Sequence, residues 1–154
     1  MRFAMFSLLA ATTFVLGDDP MTNLAQNARA TASSTHQNFT AEKAIDGVVS
    51  NDSRWISASQ PGPHTLAIEW DQPTPIGCLQ LVSGWSPSGA WIQPVKDFRF
   101  ECRQGGEWLP IPAAAVAGNA SHAWECRLQE PLTTDAVRLV ALDNGYVRVA
   151  EIRV

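Results

Sequence analysis

The feature that most constrains the fold of this chain is the alternation of apolar residues with polar or small ones in several short runs. In the run DFRFECR, for example, Phe98, Phe100 and Cys102 share one side, and charged residues take the other. A period of two residues is the pattern of a half-buried β-strand. The same pattern occurs in HTLAIEW, IGCLQLVS, AWECRL, AVRLVAL and VRVAEIRV.

Turn-forming residues separate these runs, at QPGP (60–63), DQPTP (71–75), SPSG (86–89), QGGEW (104–108) and DNG (143–145). The only helical turn that we predict is at 41–45, where Ala, Glu and Lys favour helix. Many short strands joined by such turns predict an all-β sandwich or barrel. Four tryptophans are predicted to pack in its core: Trp55, Trp70, Trp108 and Trp124.

The beginning of the chain is typical of a secretory signal peptide. Arg2 precedes an apolar stretch that runs to Leu16, and Gly17 follows. We therefore predict a signal peptide at 1–17, a mature domain at 22–154 and a secreted, extracellular protein. A membrane anchor or an ordered first strand is the alternative for this segment.

The charge pattern and the scarcity of catalytic motifs exclude several classes of function. The chain has 11 Lys and Arg against 15 Asp and Glu, a net charge of −4, and no run of basic residues. Nucleic acid is therefore not an expected partner, and a polybasic membrane surface is absent. No serine-hydrolase elbow or zinc-protease motif occurs, and His64 and His122 are expected in exposed loops. We predict that the protein is not an enzyme.

The three cysteines leave two alternatives open. Cys102 and Cys126 lie on the apolar phase of their runs, so they either face one core and form a bridge or remain two buried thiols. Cys78 lies on the opposite phase from its apolar neighbours. An odd count leaves at least one thiol unpaired. The wide spacing, without a CxxC pair, does not favour a zinc site.

Four segments in order resemble the F5/8 type C (discoidin-like) family, which includes carbohydrate-binding modules similar to family 32. These are NLAQNARATASS (23–34), KAIDG followed by DSRW (43–55), VKDFRFECRQGGEWLPI (95–111) and AVRLVALDNGYVRVAEIRV (136–154). The resemblance covers residues 22–154. It implies an eight-stranded jelly-roll β-sandwich of the galactose-binding-like fold.

The resemblance also implies a structural calcium ion, held by the loop before Trp55. Hard cations require several oxygen ligands at once. The implied ligands are the side chains of Asp46, Ser53 and Glu151 and the backbone carbonyls near Lys43 and Asn51. The segment VVSN lengthens this loop by two residues relative to the usual family spacing. The alternative is an Asx-type turn without an ion.

Three loops of this chain are placed near one rim of the sandwich by the resemblance, and they carry aromatic and planar polar side chains suited to sugars. The predicted ligand-binding residues are His36, Asn38 and Phe39 in the first loop, Trp85 and Trp91 in the second, and Asn144 and Tyr146 in the third. The alternative is that these side chains are solvated or packed within their loops. The second loop lacks the Arg and Asn pair of many galactose binders, which argues against galactose.

Together these features predict a secreted, non-catalytic carbohydrate-binding module with a structural calcium ion, which binds a glycan or polysaccharide through rim loops. The alternatives are an extracellular protein-interaction or cell-adhesion module and a targeting domain of a larger secreted enzyme. A membrane lipid is the least favoured partner, because the aromatic loops carry few cations.

Overall fold

The computed structural model describes residues 22–154, so the predicted signal peptide at 1–17 lies outside the described residues. Its strands are β1 (Arg29–Ala32), β2 (Trp55–Ile56), β3 (His64–Ser83), β4 (Phe98–Gln104), β5 (Glu107–Val116), β6 (Ala123–Ala141) and β7 (Arg148–Arg153). Two short 3₁₀ turns occur, at Leu24–Asn27 and Ala41–Ala44. The predicted all-β class and the helical turn at 41–45 are confirmed. Within 22–154, no helix has the length and apolar character needed to span a bilayer.

The strands form one antiparallel sheet in the order β2-β7-β3-β6-β4-β5, and β1 pairs with β3. The first half of β3 pairs with the end of β6, as at His64 and Ala141. Its second half pairs with the beginning of β6 and with β7, as at Leu81 and Ile152. Apolar residues from both halves of β3 belong to one core, so the sheet folds over that core as a sandwich.

Residues 22–154 form seven strands rather than the predicted eight. β3 and β6 each run through two of the predicted strands, and β2 at Trp55–Ile56 is an additional short strand. The segment 71–75, predicted as a turn, is extended within β3. Proline has the φ angle of extended backbone and lacks an N–H, so it is tolerated where a ladder is interrupted. The ladder between β3 and β6 is interrupted between Glu69 and Thr74, which accommodates Pro73. The β-sandwich fold itself is confirmed.

The centre of the core is built from large apolar side chains on the inward phase of each strand. Trp55, Phe98 and Phe100 are almost fully buried, and the two phenylalanine rings meet edge to face at 6.3 Å. The Trp124 ring stacks on Phe100 at 5.8 Å. Trp70 is also buried. The predicted core positions of Trp55 and Trp70 are therefore confirmed, and the half-buried Trp124 packs against the core.

Trp108 is the tryptophan whose predicted core position is wrong. It is half-buried outside the core cluster, and the guanidinium of Arg138 lies 4.5 Å from the centre of its ring. Trp108 pairs with Arg103 across the hairpin of β4 and β5, whose outward face carries charged residues. Its ring therefore covers arginine side chains instead of packing inside the sandwich.

Two further expectations concern Cys102, Cys126 and His64. All three cysteines are free. Cys102 and Cys126 are not bridged because Cys102 lies opposite Val137, near the end of β6, whereas Cys126 lies near the beginning of that strand. The free-thiol alternative therefore holds, with Cys102 buried and Cys126 half-buried. His64, expected in an exposed loop, is fully buried as the first residue of β3. His122 is exposed, as expected.

The beginning and the end of the described chain are joined by hydrogen bonds. The amide of Leu24 donates to the carbonyl of Val154 at 2.8 Å. The side chain of Asn23 caps the first 3₁₀ turn, accepts from the Val154 amide at 3.2 Å and donates to Glu151 at 3.3 Å. Residues that are 131 positions apart in sequence are therefore neighbours in the fold.

Candidate functional site

Several loops meet around a cleft of about 240 Å³, which we call the rim cleft. Hydrogen bonds fix the loops that surround it. The His36 amide donates to the Ile56 carbonyl at 2.7 Å, and the Ile56 amide donates to the Phe39 carbonyl at 3.2 Å. Trp85 is held by reciprocal backbone bonds with Ile92, at 3.1 and 2.8 Å. The backbone thus holds side chains from distant segments around one space.

Four of the seven sequence-predicted ligand residues line the rim cleft: His36, Phe39, Trp85 and Tyr146. The rings of His36 and Tyr146 meet edge to face, with centroids 4.9 Å apart. Tyr146 is exposed, and the other three side chains are half-buried. Flat rings in this arrangement offer apolar faces at the surface, which is what the ring of a sugar stacks on.

The other three predicted residues do not line the cleft. Asn38 is exposed. The ring of Trp91 stacks on His122, with centroids 5.6 Å apart and the planes nearly parallel. The side-chain oxygen of Asn144 accepts a hydrogen bond from the Gly62 amide at 3.2 Å, which fixes a neighbouring turn. Their part in ligand binding stays a prediction.

Two arginines that the sequence reasoning missed, Arg54 and Arg148, complete the wall together with Ile56. The guanidinium of Arg54 lies 5.3 Å from the ring of Phe39 and 5.9 Å from that of Trp85. That of Arg148 lies 5.8 Å from Trp85 and 5.4 Å from Tyr146. Arginine and aromatic side chains therefore alternate along the wall, as cation–π contacts favour.

Strand pairing brings the two arginines together. Arg54 directly precedes β2, Arg148 is the first residue of β7, and Ile56 lies opposite Arg148 where these strands pair. Arg54 and Arg148 are isolated basic residues, so they form no basic run that would mark them in the sequence. The available signal was that Arg54 directly precedes the core residue Trp55 and that Arg148 lies within the predicted strand VRVAEIRV.

The wall contains polar atoms that lack a hydrogen-bond partner among residues 22–154. Arg54 is only 8% exposed, and its Nε is buried and unpaired, as is the indole N–H of Trp85. Burial first, and the charge of Arg148 second, lower the pKa of Arg54, while Asp52 acts in the opposite direction. Buried polar atoms normally find a partner in protein, water or ligand.

The proposed ion-binding residues lie where a loop meets β7. Glu151 is fully buried, and its Oε2 accepts from the Gly47 amide at 3.2 Å. Burial, with a smaller contribution from the charge of Asp46, raises the pKa of Glu151 to about 7 against the opposing effects of Gly47, Arg153 and Asn23. A buried carboxyl beside a second carboxyl is an environment that a bound cation would stabilise.

The side chains of the other predicted ion ligands make different contacts. The hydroxyl of Ser53 donates to the carboxylate of Asp46, so these two side chains are adjacent. The Lys43 ammonium donates to the Asp52 carbonyl at 3.2 Å. The Asn51 side chain binds Arg54 and Ser86.

The donors at this loop are chemically suited to a hard cation. Residues 22–154 contain no cluster of three His, Cys, Asp or Glu side chains suited to a metal. A shell here would rely on neutral oxygens, the Ser53 hydroxyl and the carbonyls of Lys43 and Asn51, beside two carboxylates. Carboxylates with neutral oxygens are the donors that calcium takes, so the residues fit that ion.

A larger groove of about 690 Å³ lies beside Asn23, Cys78 and Arg153. None of the described residues that line it is aromatic. It is therefore less suited to a sugar than the smaller rim cleft, despite its volume.

Similar folds occur in solved structures of two sugar-binding modules and in one part of a putative fucosidase. A family 32 carbohydrate-binding module from C. perfringens in complex with galactose has a TM-score of 0.70 and 14% identity, over 83% of this chain and 93% of that one. A fucose binding module from Streptococcus pneumoniae has a TM-score of 0.73 and 16% identity, over 88% and 96%. A putative alpha-L-fucosidase from Bacteroides thetaiotaomicron has a TM-score of 0.70 and 18% identity, over 86% of this chain and 28% of that one.

Sequence comparison gives the family. No curated protein sequence matches the chain. The family model of the F5/8 type C domain matches residues 29–152, which include every strand from β1 to β6 and most of β7. The order of the four segments, the β-sandwich and this match agree, and the chain belongs to the F5/8 type C domain family.

Proposed function

We propose that the protein is a non-catalytic carbohydrate-binding module and that the rim cleft is its glycan site. The observation that carries this proposal is the grouping of the His36, Phe39, Trp85 and Tyr146 rings around one cleft. Rings of this kind stack on the apolar face of a pyranose, and adjacent polar groups bind its hydroxyls. The volume is below the roughly 300 Å³ at which pockets for drug-sized ligands begin, which favours a short terminal unit of the glycan.

The related structures support a sugar as the ligand and leave its identity open. The similar modules are described with galactose and with fucose. At 14% and 16% identity these similarities establish only a shared fold, so neither sugar is assigned to this chain. The similarity to one part of a putative fucosidase supports the alternative that such a module serves as the targeting domain of a larger secreted enzyme.

A structural calcium ion is the second part of the proposal. Asp46, Ser53 and Glu151 would supply oxygen atoms from their side chains, and Lys43 and Asn51 would supply them from their carbonyls. The support is the buried Glu151 carboxyl beside Asp46, with its raised pKa. A cation there would neutralise both carboxylates and connect the loop that precedes Trp55 to β7.

Secretion remains part of the proposal, resting on the signal-like residues 1–17. A secreted module of this kind would position its carrier on a polysaccharide. An extracellular protein-interaction or adhesion role is the competing proposal.

A glycan array, followed by calorimetry with calcium present, tests the glycan site. We expect binding that Trp85→Ala weakens strongly, because the ring lies in the cleft. Trp108→Ala is the matched control, since its ring lies against Arg138 on the hairpin of β4 and β5 and does not line the cleft. A folded protein that binds no glycan on the array would overturn the proposal and favour a protein partner.

A further inference from the structure

The charges of the rim cleft are unusual within this protein. Six of the arginines in residues 22–154 lie within ion-pair distance of a carboxylate: Arg29, Arg99, Arg103, Arg127, Arg138 and Arg153. Arg54 and Arg148 form no such pair among the described residues, and both line the cleft. The described lining contains no acidic side chain. The cleft thus holds two positive charges without a counter-ion in contact.

The guanidinium groups also retain unused hydrogen-bond donors. Arg54 Nη1 donates to the neutral amide oxygen of Asn51 at 2.8 Å, and Arg148 Nη1 donates to that of Gln93 at 3.2 Å. These are their only hydrogen bonds with residues 22–154. A guanidinium carries five N–H donors in one plane, and stacking on a ring leaves the edges of that plane free for an anion.

Burying these charges without a partner costs free energy, so the cleft favours a ligand that neutralises them. Arg54 is more than nine-tenths buried, and the nearby Arg148 disfavours its charge. An anion bound between them would remove that repulsion and satisfy the free donors. The protein as a whole has a net charge of −4, so general attraction cannot account for binding of a polyanion.

We propose that the rim cleft selects a sugar that carries an anionic group, a carboxylate or a sulfate. In this arrangement the guanidinium groups of Arg54 and Arg148 bind the anionic group, and the aromatic rings contact the face of the sugar. This inference rests on the proposed glycan site and adds the class of sugar that the site prefers.

Pairs of ligands that share a sugar and differ in whether it carries an anionic group test the inference. Calorimetry would compare trigalacturonate with its methyl ester, and galactose 6-sulfate with galactose. We expect the anionic member of at least one pair to bind at least tenfold more tightly, with affinity that falls as salt is raised. The first pair reports on carboxylates and the second on sulfates, so the two arms distinguish the source of the anionic group.

Arg148→Gln is the informative variant, because the side chain is only half-buried. We expect roughly tenfold to a hundredfold weaker binding of the anionic sugar and little change for a neutral one. Arg29→Gln is the matched control. It removes the same charge at the exposed beginning of β1, and Arg29 does not line the cleft.

The outcomes separate the two proposals. Equal affinity for both members of each pair would overturn the anionic preference and leave the glycan site standing. Equal loss of neutral and anionic ligand in Arg148→Gln would overturn it in the same way. Failure to bind any glycan, charged or neutral, would overturn both the inference and the proposed function.

Discussion

Replacing Glu151 with Gln tests whether a buried carboxyl limits stability at neutral pH when no cation is present. Gln is the neutral counterpart of the protonated side chain. The pKa of Glu151 rises from its usual 4.5 to about 7 in the fold, mainly through burial. Between these two pKa values the folded protein therefore keeps a proton on Glu151 that the unfolded chain releases. The stability associated with that proton is fully present below pH 4.5 and is lost as pH rises through about 7.

The magnitude follows from the two pKa values. Each pH unit between them costs the folded state about 1.4 kcal/mol. Between pH 5 and pH 8, the wild type should lose about 2 to 3 kcal/mol relative to Glu151→Gln. The two proteins should therefore be closest in stability at pH 5, and the variant should be the more stable at pH 8.

Urea denaturation in chelator at several pH values measures this difference. Glu130→Gln is the control, because it removes an equal charge from an exposed position on β6. Parallel pH profiles for the wild type and Glu151→Gln would refute the reasoning. A second set of measurements repeats the denaturation with calcium in place of chelator. If the ion binds the ionised carboxyl, it should stabilise the wild type at pH 8 and have much less effect on the variant.

Three further changes probe the ion, the core and the loop geometry. Calcium should raise the thermal midpoint over that in chelator, and Asp46→Asn should remove most of that rise; an unchanged rise would argue against the proposed ligands. Phe100→Ala should cost about 3 to 5 kcal/mol in urea denaturation, against well under 1 kcal/mol for exposed Leu109→Ala. Gly84→Ala should lower the unfolding midpoint more than Gly89→Ala, because both glycines have positive φ but only at Gly84 would a Cβ lie 2.4 Å from a backbone carbonyl.

The local pattern of the sequence was sufficient for most of the strands, whereas the four predicted residues that line the cleft came from residue type and the family resemblance. Alternation places Phe98 and Phe100 inside because their neighbours are charged, and this requires no knowledge of the partner strand. The same phase includes His64 with Leu66, so its burial was available from the pattern. The preceding Gly and Pro residues led instead to the prediction of an exposed loop.

Features that depend on pairing between distant strands could not be predicted in this way. Arg54 and Arg148 share a wall because β2 pairs with β7, and no local period reports that register. The continuity of β3 through residues 71–75 depends likewise on a break in its ladder with β6. Loop side chains such as Trp91 were predicted from residue type alone, and their direction is set by contacts far along the chain.

The hydrogen bonds of Asn23 and Leu24 with Val154 have a consequence for protein architecture. The first and last described residues of the domain lie side by side, and the loops that form the rim cleft belong to the chain between them. Such a unit could be inserted into an exposed turn of another protein without separating the two sides of that turn. For the same reason, joining residues 22 and 154 and opening the hairpin at Gly105 and Gly106 should give a circular permutant that keeps both the core and the cleft.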